Sequence, residues 1–197
     1  MNPWQVIGCS LALVCASATS ASTGSAAPPS VSAALAEKQA VASTRLRVWG
    51  FEVYDARLWA RPGFELTRFE DQPFALELAY LRSFKGADIA RRSIDEMRQT
   101  GALDEADAAR WLAAMTALFP DVQRGDRITG VHVPGTGARF YLNDRLLGEV
   151  VEDRFSRRFF GIWLSERTSQ PRMRDALLAQ LQGQGNGTGT ASGAVNR

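Results

Sequence analysis

Runs with a two-residue apolar period and runs with a helical period follow one another along this chain in an order that leaves few ways to bury the apolar faces. Arg45 to Trp49 and Phe51 to Ala60 are rich in β-branched and aromatic residues and are parted by Gly50, which predicts two strands joined by a tight turn or kink. From Pro73 to Arg82, Phe74, Leu76, Leu78 and Tyr80 alternate with Ala75, Glu77, Ala79 and Leu81, the mark of a third strand with one buried face. Helical spacing then sets in. Ile89, Ser93 and Met97, flanked by Ala90 and Ile94, form an apolar stripe, with Arg91, Arg92, Asp95 and Arg98 placed opposite and Gly101 as the stop. A second helix is predicted from Asp104 to about Phe119. Asp104, Glu105 and Asp107 lie at its positive end, Trp111, Met115 and Leu118 on its inner face, and Pro120 closes it.

Strand patterns return over 126–133, 138–142 and 145–150, divided by Pro134-Gly135-Thr136-Gly137 and Asn143-Asp144, the turn residues of a meander. Asp153 opens a third helix with Phe155, Phe159 and Trp163 on one side and Gly161 expected to interrupt it. Ser169 and Pro171 open a fourth, with Met173, Leu177 and Leu181 inward. Three strands, two helices, three strands and two helices specify an α+β fold, with an antiparallel sheet covered on one face by a layer of helices.

The ends read differently. Residues 1–21 carry no charged side chain and contain the apolar run Val6 to Ala16, too short to span a bilayer but suited to a signal peptide. Ala16-Ser17-Ala18 and Thr19-Ser20-Ala21 follow as small-residue cleavage patterns. An exported protein, periplasmic or secreted, is the expectation, with no stable membrane span once the signal is removed. Both cysteines, Cys9 and Cys15, lie in that segment, so a cleaved chain has no thiol for a disulfide, a metal or catalysis. Val6-Ile7-Gly8-Cys9 is a second-ranked lipidation pattern. Residues 22–39 read as a flexible linker, 40–182 as the folded domain and 183–197 as a disordered tail.

Composition removes several functions. The 23 basic and 21 acidic residues nearly cancel and are interspersed, so no basic stripe asks for nucleic acid. Phosphate-binding loops, dinucleotide fingerprints, metalloprotease motifs and nucleophile elbows are lacking. The one histidine, His132, cannot build a multi-ligand metal site and reads as a surface or a satisfied strand residue. No catalytic residue, metal or cofactor is assigned.

Four segments, RLRVWGFEVYDARLWA (45–60), ELAYLRSFKGADIARRSIDEM (77–97), FPDVQRGDRITGVHVPG (119–135) and RFYLNDRLLGEVVEDRFSRRFFGIWL (139–164), together resemble the chalcone isomerase-like family, in its bacterial exported branch. The resemblance implies an open-faced β-sandwich with a ligand cleft between a long antiparallel sheet and its helices. Plant enzymes of that family cyclise chalcones, and non-catalytic members bind fatty acids. The enzymes' strand arginine falls on Arg45 or Arg47 and their strand threonine on Tyr54. Their helix tyrosine falls on Ile89, their asparagine on Glu96 and a late threonine near Arg158, none of which matches in type. An isoleucine cannot supply a general acid, so the mapping favours binding over catalysis.

The resemblance therefore implies a pocket for an apolar small molecule with an anionic end, a fatty acid or a phenolic. Arg45 or Arg47 and the Tyr54 hydroxyl would meet that end, with Ile89 and Glu96 on the facing helix. Alternation puts both arginines on one strand face, toward the cleft or toward water, and Glu96 likewise lies at the cleft or on a solvated face. Two other readings stand beside it. One is an isomerase or intramolecular lyase acting on a chalcone-like substrate with the same arginine as clamp. The other is a structural or partner-binding envelope protein that presents Arg157-Arg158-Phe159-Phe160 as an exposed contact.

Overall fold

A computed structural model describes residues 30–185. The expected signal peptide and most of the expected tail lie outside that range. Six strands form one sheet in sequence order, each antiparallel to the next: β1 (Gln39–Val48), β2 (Phe51–Ala60), β3 (Phe74–Tyr80), β4 (Arg127–Val133), β5 (Gly137–Leu142) and β6 (Arg145–Val150). The helices are α1 (Val31–Leu35), α2 (Gly86–Thr100), α3 (Glu105–Leu118), α4 (Asp153–Leu164) and α5 (Pro171–Gly185), with a short 3-10 segment at Leu66–Asp71. This is the α+β arrangement that the element order implies and the open-faced sandwich that the resemblance implies.

Strand registers settle which side chains face the helix layer. Leu46, Tyr54 and Tyr80 lie side by side on β1, β2 and β3, as do Leu78, Ile128 and Leu142 on β3, β4 and β5. Because side chains alternate across a strand, Arg45, Asp55 and Ala79 fall in one row on the opposite face. The inner residues join those of α2 to α5 in the main core, whose centre is aromatic: Phe74, Phe140, Phe155, Phe160 and Trp111 are all fully enclosed. Phe160 approaches the sheet closely at Gly130, where an added Cβ would stand 3.0 Å from its ring.

Helix α2 is anchored at its start by the loop that follows α3. The Gly86 amide donates to Asp121 Oδ1 at 3.0 Å, Lys85 Nζ lies 2.7 Å from Asp121 Oδ2, and Phe84 pairs with Val122 in an isolated antiparallel bridge. Gly86 is required there, since a Cβ would meet the Phe119 carbonyl oxygen at 2.0 Å. At the start of α3, Asp104 accepts from the Ala106 and Asp107 amides, the capping role its sequence position implies.

Four expectations are corrected. Residues 31–35, within the expected linker 22–39, form α1, and β1 begins at Gln39. Val31 packs with Ala75, Val131 and Tyr141 on the outer face of the sheet, so apolar patterning on that face draws the segment into structure. Residues 183–185, placed in the tail, continue α5. Gly161 does not interrupt α4, because its hydrogen bonding continues through the glycine to Ser165. Finally, Phe159 and Phe160 are buried, so Arg157-Arg158-Phe159-Phe160 is not the exposed contact the envelope-protein reading needs.

Candidate functional site

The core is filled by rings around Phe74, Phe140, Phe155 and Phe160 but hollow toward β1 and β2. A cavity of about 260 Å³ opens between the inner face of β1–β3 and α2. Its lining includes Leu46, Val53, Tyr54, Leu78, Tyr80 and Phe84 from the sheet side and Ile89, Arg92 and Ser93 from α2. Phe159, Ile162 and Trp163 of α4 close its floor. A β-bulge shapes the sheet wall. Leu46 pairs with Tyr54 but Arg47 pairs with Glu52, which leaves Val53 as an extra residue on β2. Val53 and Tyr54 then both line the hollow, and Glu52 is returned to the side of Arg45 and Arg47.

The polar residues of the lining include Tyr54, Tyr80, Asp88, Arg92 and Ser93. Trp163 Nε1 donates to the Tyr54 hydroxyl at 2.8 Å, which leaves the phenol's own proton without an acceptor among the described residues. Burial pushes the Tyr54 phenol far above its ordinary pKa, and the nearby Glu96 carboxylate raises it while the Arg92 guanidinium lowers it. Tyr80 packs edge-on against Tyr54, ring centroids 6.0 Å apart, and is likewise pushed up by burial, then by Tyr54. Both phenols therefore stay protonated at neutral pH and act as hydrogen-bond donors. The Ser93 hydroxyl is already committed to the Ile89 carbonyl at 2.9 Å.

The residues singled out in the sequence are not brought together as a set. Tyr54 and Ile89 line the hollow. Glu96 is buried behind its wall, its carboxylate held by Arg92 and by the Ser169 hydroxyl. Arg45 and Arg47 are corrected: neither faces the cavity. Arg45 lies bidentate against Asp55 at 2.5 and 2.9 Å and reaches Glu52 at 2.8 Å, and Arg47 meets Glu52 at 2.9 Å. Their side chains are 38% and 61% exposed. The reason is register: Arg45 is one residue from Leu46, whose partner Tyr54 points inward.

The guanidinium at the cavity is Arg92, which the helical period places on the solvent side of α2. It stands at the rim, with a mostly exposed side chain long enough to reach back to Glu96. The (i, i+4) spacing of Arg92 and Glu96 was the available signal. Tyr80 was visible as the end of the apolar period of β3, and Trp163 as the end of the inner stripe of α4.

His132 serves the solid half. It is fully buried, with Nε2 3.0 Å from the Glu70 carbonyl oxygen and Nδ1 2.7 Å from Ser156 Oγ. A carbonyl only accepts, so Nε2 carries the proton and Nδ1 accepts from the serine hydroxyl. Burial holds its pKa below the ordinary value. Among the described residues no cluster of histidine, cysteine and carboxylate side chains is arranged to hold a metal ion. None of their helices is long and apolar enough to cross a membrane.

A long antiparallel sheet, a helical cover on one face and an apolar hollow between them make an open-faced sandwich of the kind in which small-molecule pockets form. The chain belongs to the chalcone isomerase-like family, whose model matches residues 42–179. An uncharacterized protein of Haemophilus influenzae is 30% identical over 135 residues, which span 68% of this chain and 65% of that relative, just under two thirds of its length. Among solved structures, a fatty-acid binding protein of Arabidopsis thaliana superposes with a TM-score of 0.58 at 12% identity, over 74% of this chain and 88% of the plant protein. At that identity the likeness is one of fold.

Proposed function

We propose that this chain is an exported, non-catalytic binding protein that holds an apolar small molecule with an anionic end, of the fatty-acid or phenolic class, between sheet and α2. The observation that carries the reading is a nearly wholly apolar hollow in which the Tyr54 hydroxyl, held by Trp163 Nε1, keeps its own proton to offer. Displacing water from such a lining favours an apolar body by roughly 25 cal/mol for each Å² covered. The Tyr54 and Tyr80 hydroxyls then offer protons to a carboxylate or phenolate, while Arg92, paired with Glu96 and accompanied on the lining by Asp88, stands at the rim. The occupant would also be small, since about 260 Å³ lies just below the usual ~300 Å³ lower bound of ligand pockets.

The same geometry weighs against turnover. Two protonated phenols donate but do not abstract a proton, the imidazole of His132 is spent elsewhere, and the family resemblance sets Ile89, which cannot act as an acid, where the plant enzymes carry their tyrosine. Export is carried by the sequence of residues 1–21 alone.

Native mass spectrometry and solvent extraction of the purified full chain test the reading. We expect a co-purifying molecule with a carboxylate or phenolic end, retained by Arg45→Ala and Arg47→Ala and lost or weakened about tenfold by Arg92→Ala. A protein that carries nothing and takes up neither a short- or medium-chain fatty acid nor a flavonoid would sink the proposal. Equal binding by wild type and Arg92→Ala would remove the polar-end assignment.

A further inference from the structure

Beside the mouth of the cavity, the β1–β2 hairpin ends in a tip that the fold itself does not explain. Trp49 and Gly50 are its two loop residues, with φ of 50° and 84°, and Val48 pairs with Phe51 across it. Two successive left-handed residues are the signature of a type I′ hairpin, a turn that asparagine and glycine enter readily and a bulky side chain does not. Yet the first loop position holds a tryptophan that is 95% exposed. Phe51 is 63% exposed, and Val48 too is exposed, so this tip accounts for three of the four exposed large hydrophobics among the described residues. Folding gains nothing from tryptophan here, since the ring covers no core and the backbone conformation is unfavourable to it.

The surroundings point to what the tip meets. The Arg82 guanidinium lies over the Phe51 ring at 5.4 Å and makes no ion pair among the described residues. Arg47 stands at the base of the same turn, sharing Glu52 with Arg45. An apex of tryptophan, phenylalanine and valine, with Arg45 and Arg47 balanced by Glu52 at its base and the Arg82 guanidinium, unpaired among the described residues, beside Phe51, has the order of a membrane interface, in which apolar rings enter the headgroup layer and a guanidinium meets phosphate. A small protrusion of this kind offers no flat area of the size that specific protein partners need. The hairpin is also continuous with the hollow, because Leu46 and Val53, just below the tip, line it.

We infer that the β1–β2 hairpin tip docks this protein on a phospholipid bilayer surface, inserting Trp49 and Phe51 among the headgroups with Arg82 against phosphate. Docking there would bring the mouth of the hollow to the membrane, where an apolar occupant could pass between bilayer and protein. That consequence rests on the binding function proposed above, while the docking itself does not.

The test uses the full chain and vesicles of phosphatidylcholine and phosphatidylglycerol at roughly three to one, with and without lipids brominated on the acyl chain. Trp49→Asn is the decisive variant, because asparagine suits the left-handed turn and should leave the melting temperature unchanged or raised. We expect the emission lost in Trp49→Asn, obtained as the difference from wild type, to shift to shorter wavelength on vesicles and to be quenched by the brominated lipid. Partition of Trp49→Asn onto the same vesicles should fall about tenfold, the scale of one large apolar side chain withdrawn from water. Difference emission unchanged by vesicles, or a variant that partitions like wild type, would overturn the inference. So would protection of Trp49 from an aqueous quencher by a protein fraction while vesicles have no effect. Quenching of Trp49 in a protein that carries no extractable ligand would keep the docking and remove the binding function. Extractable ligand without quenching would do the reverse.

Discussion

Two halves of the same interior, roofed by one sheet, are built to opposite ends. Around Phe74, Phe140, Phe155 and Phe160 the space is filled by rings: Phe155 stacks on Phe159 at 5.6 Å, Phe74 meets Phe160 edge-on at 4.9 Å, and His132 bridges the 3-10 segment to α4 with both nitrogens satisfied. Under β1 to β3 the sheet carries Leu46, Val53, Tyr54 and Tyr80, α2 stands back from them, and a hollow remains. Phe159 belongs to both, touching Phe140 on one side and lining the cavity on the other. The lesson is that the aromatic half holds the frame rigid enough for the other half to stay empty. Side chains in a close-packed core resist collapse into a neighbouring void.

The contrast can be broken most directly from the solid side. Phe160→Ala removes a fully buried ring at the contact with Gly130 and should cost about 3–5 kcal/mol, read as a lower urea midpoint. Survival of the midpoint would show that the aromatic half is not the frame.

At the floor of the hollow, Tyr54→Phe takes the acceptor from buried Trp163 Nε1 and should cost about 1–3 kcal/mol while weakening any ligand held by its polar end. A ligand retained at full occupancy would place its polar end elsewhere.

The pH response sharpens the comparison. Burial holds the His132 pKa below its ordinary 6.5, so on acidification the unfolded chain takes up the proton first. Stability should be full above about pH 6.5 and fall as the pH drops through and below that value. The carboxylates held low by partners, Asp153 beside Arg157 and Asp121 beside Lys85, lose their contributions only at more acidic pH. Chemical denaturation at pH 7.0 and 5.5 should therefore give a slope that His132→Gln abolishes, and an unchanged slope in that variant would assign it to other groups.

Smallest in stability and largest in function is Ile89→Phe. A larger side chain directed into the void should leave the stability unchanged or raise it by about 0.5 kcal/mol, while weakening the uptake of any ligand the hollow takes. A drop comparable to that of Phe160→Ala would mean that the two halves are packed alike.

Much of this was legible beforehand, and the failures have identifiable causes. Alternation over Phe74 to Tyr80, Pro120 after α3 and the turn at Gly50 are local signals, and the strands and helices they mark are present. Gly161 misled because a glycine inside a helix costs only about 1 kcal/mol, which the buried aromatic neighbours of α4 offset. Residues 31–35 misled because composition suggested a linker, whereas Val31 had an apolar outer sheet face to cover.

The sequence by itself determined the order of the elements, the antiparallel sheet and the sets of side chains that share a face, because periods of two and 3.6 residues are properties of a backbone a few residues long. Only the tertiary structure decided which side of the sheet the helices cover. That choice sent Tyr54 into the hollow, left Arg45 and Arg47 paired with carboxylates on the outside, and brought Arg92 to the rim. It also decided that there is a hollow at all. Empty space is the distance between surfaces contributed by segments far apart in the chain, and no local pattern encodes that distance.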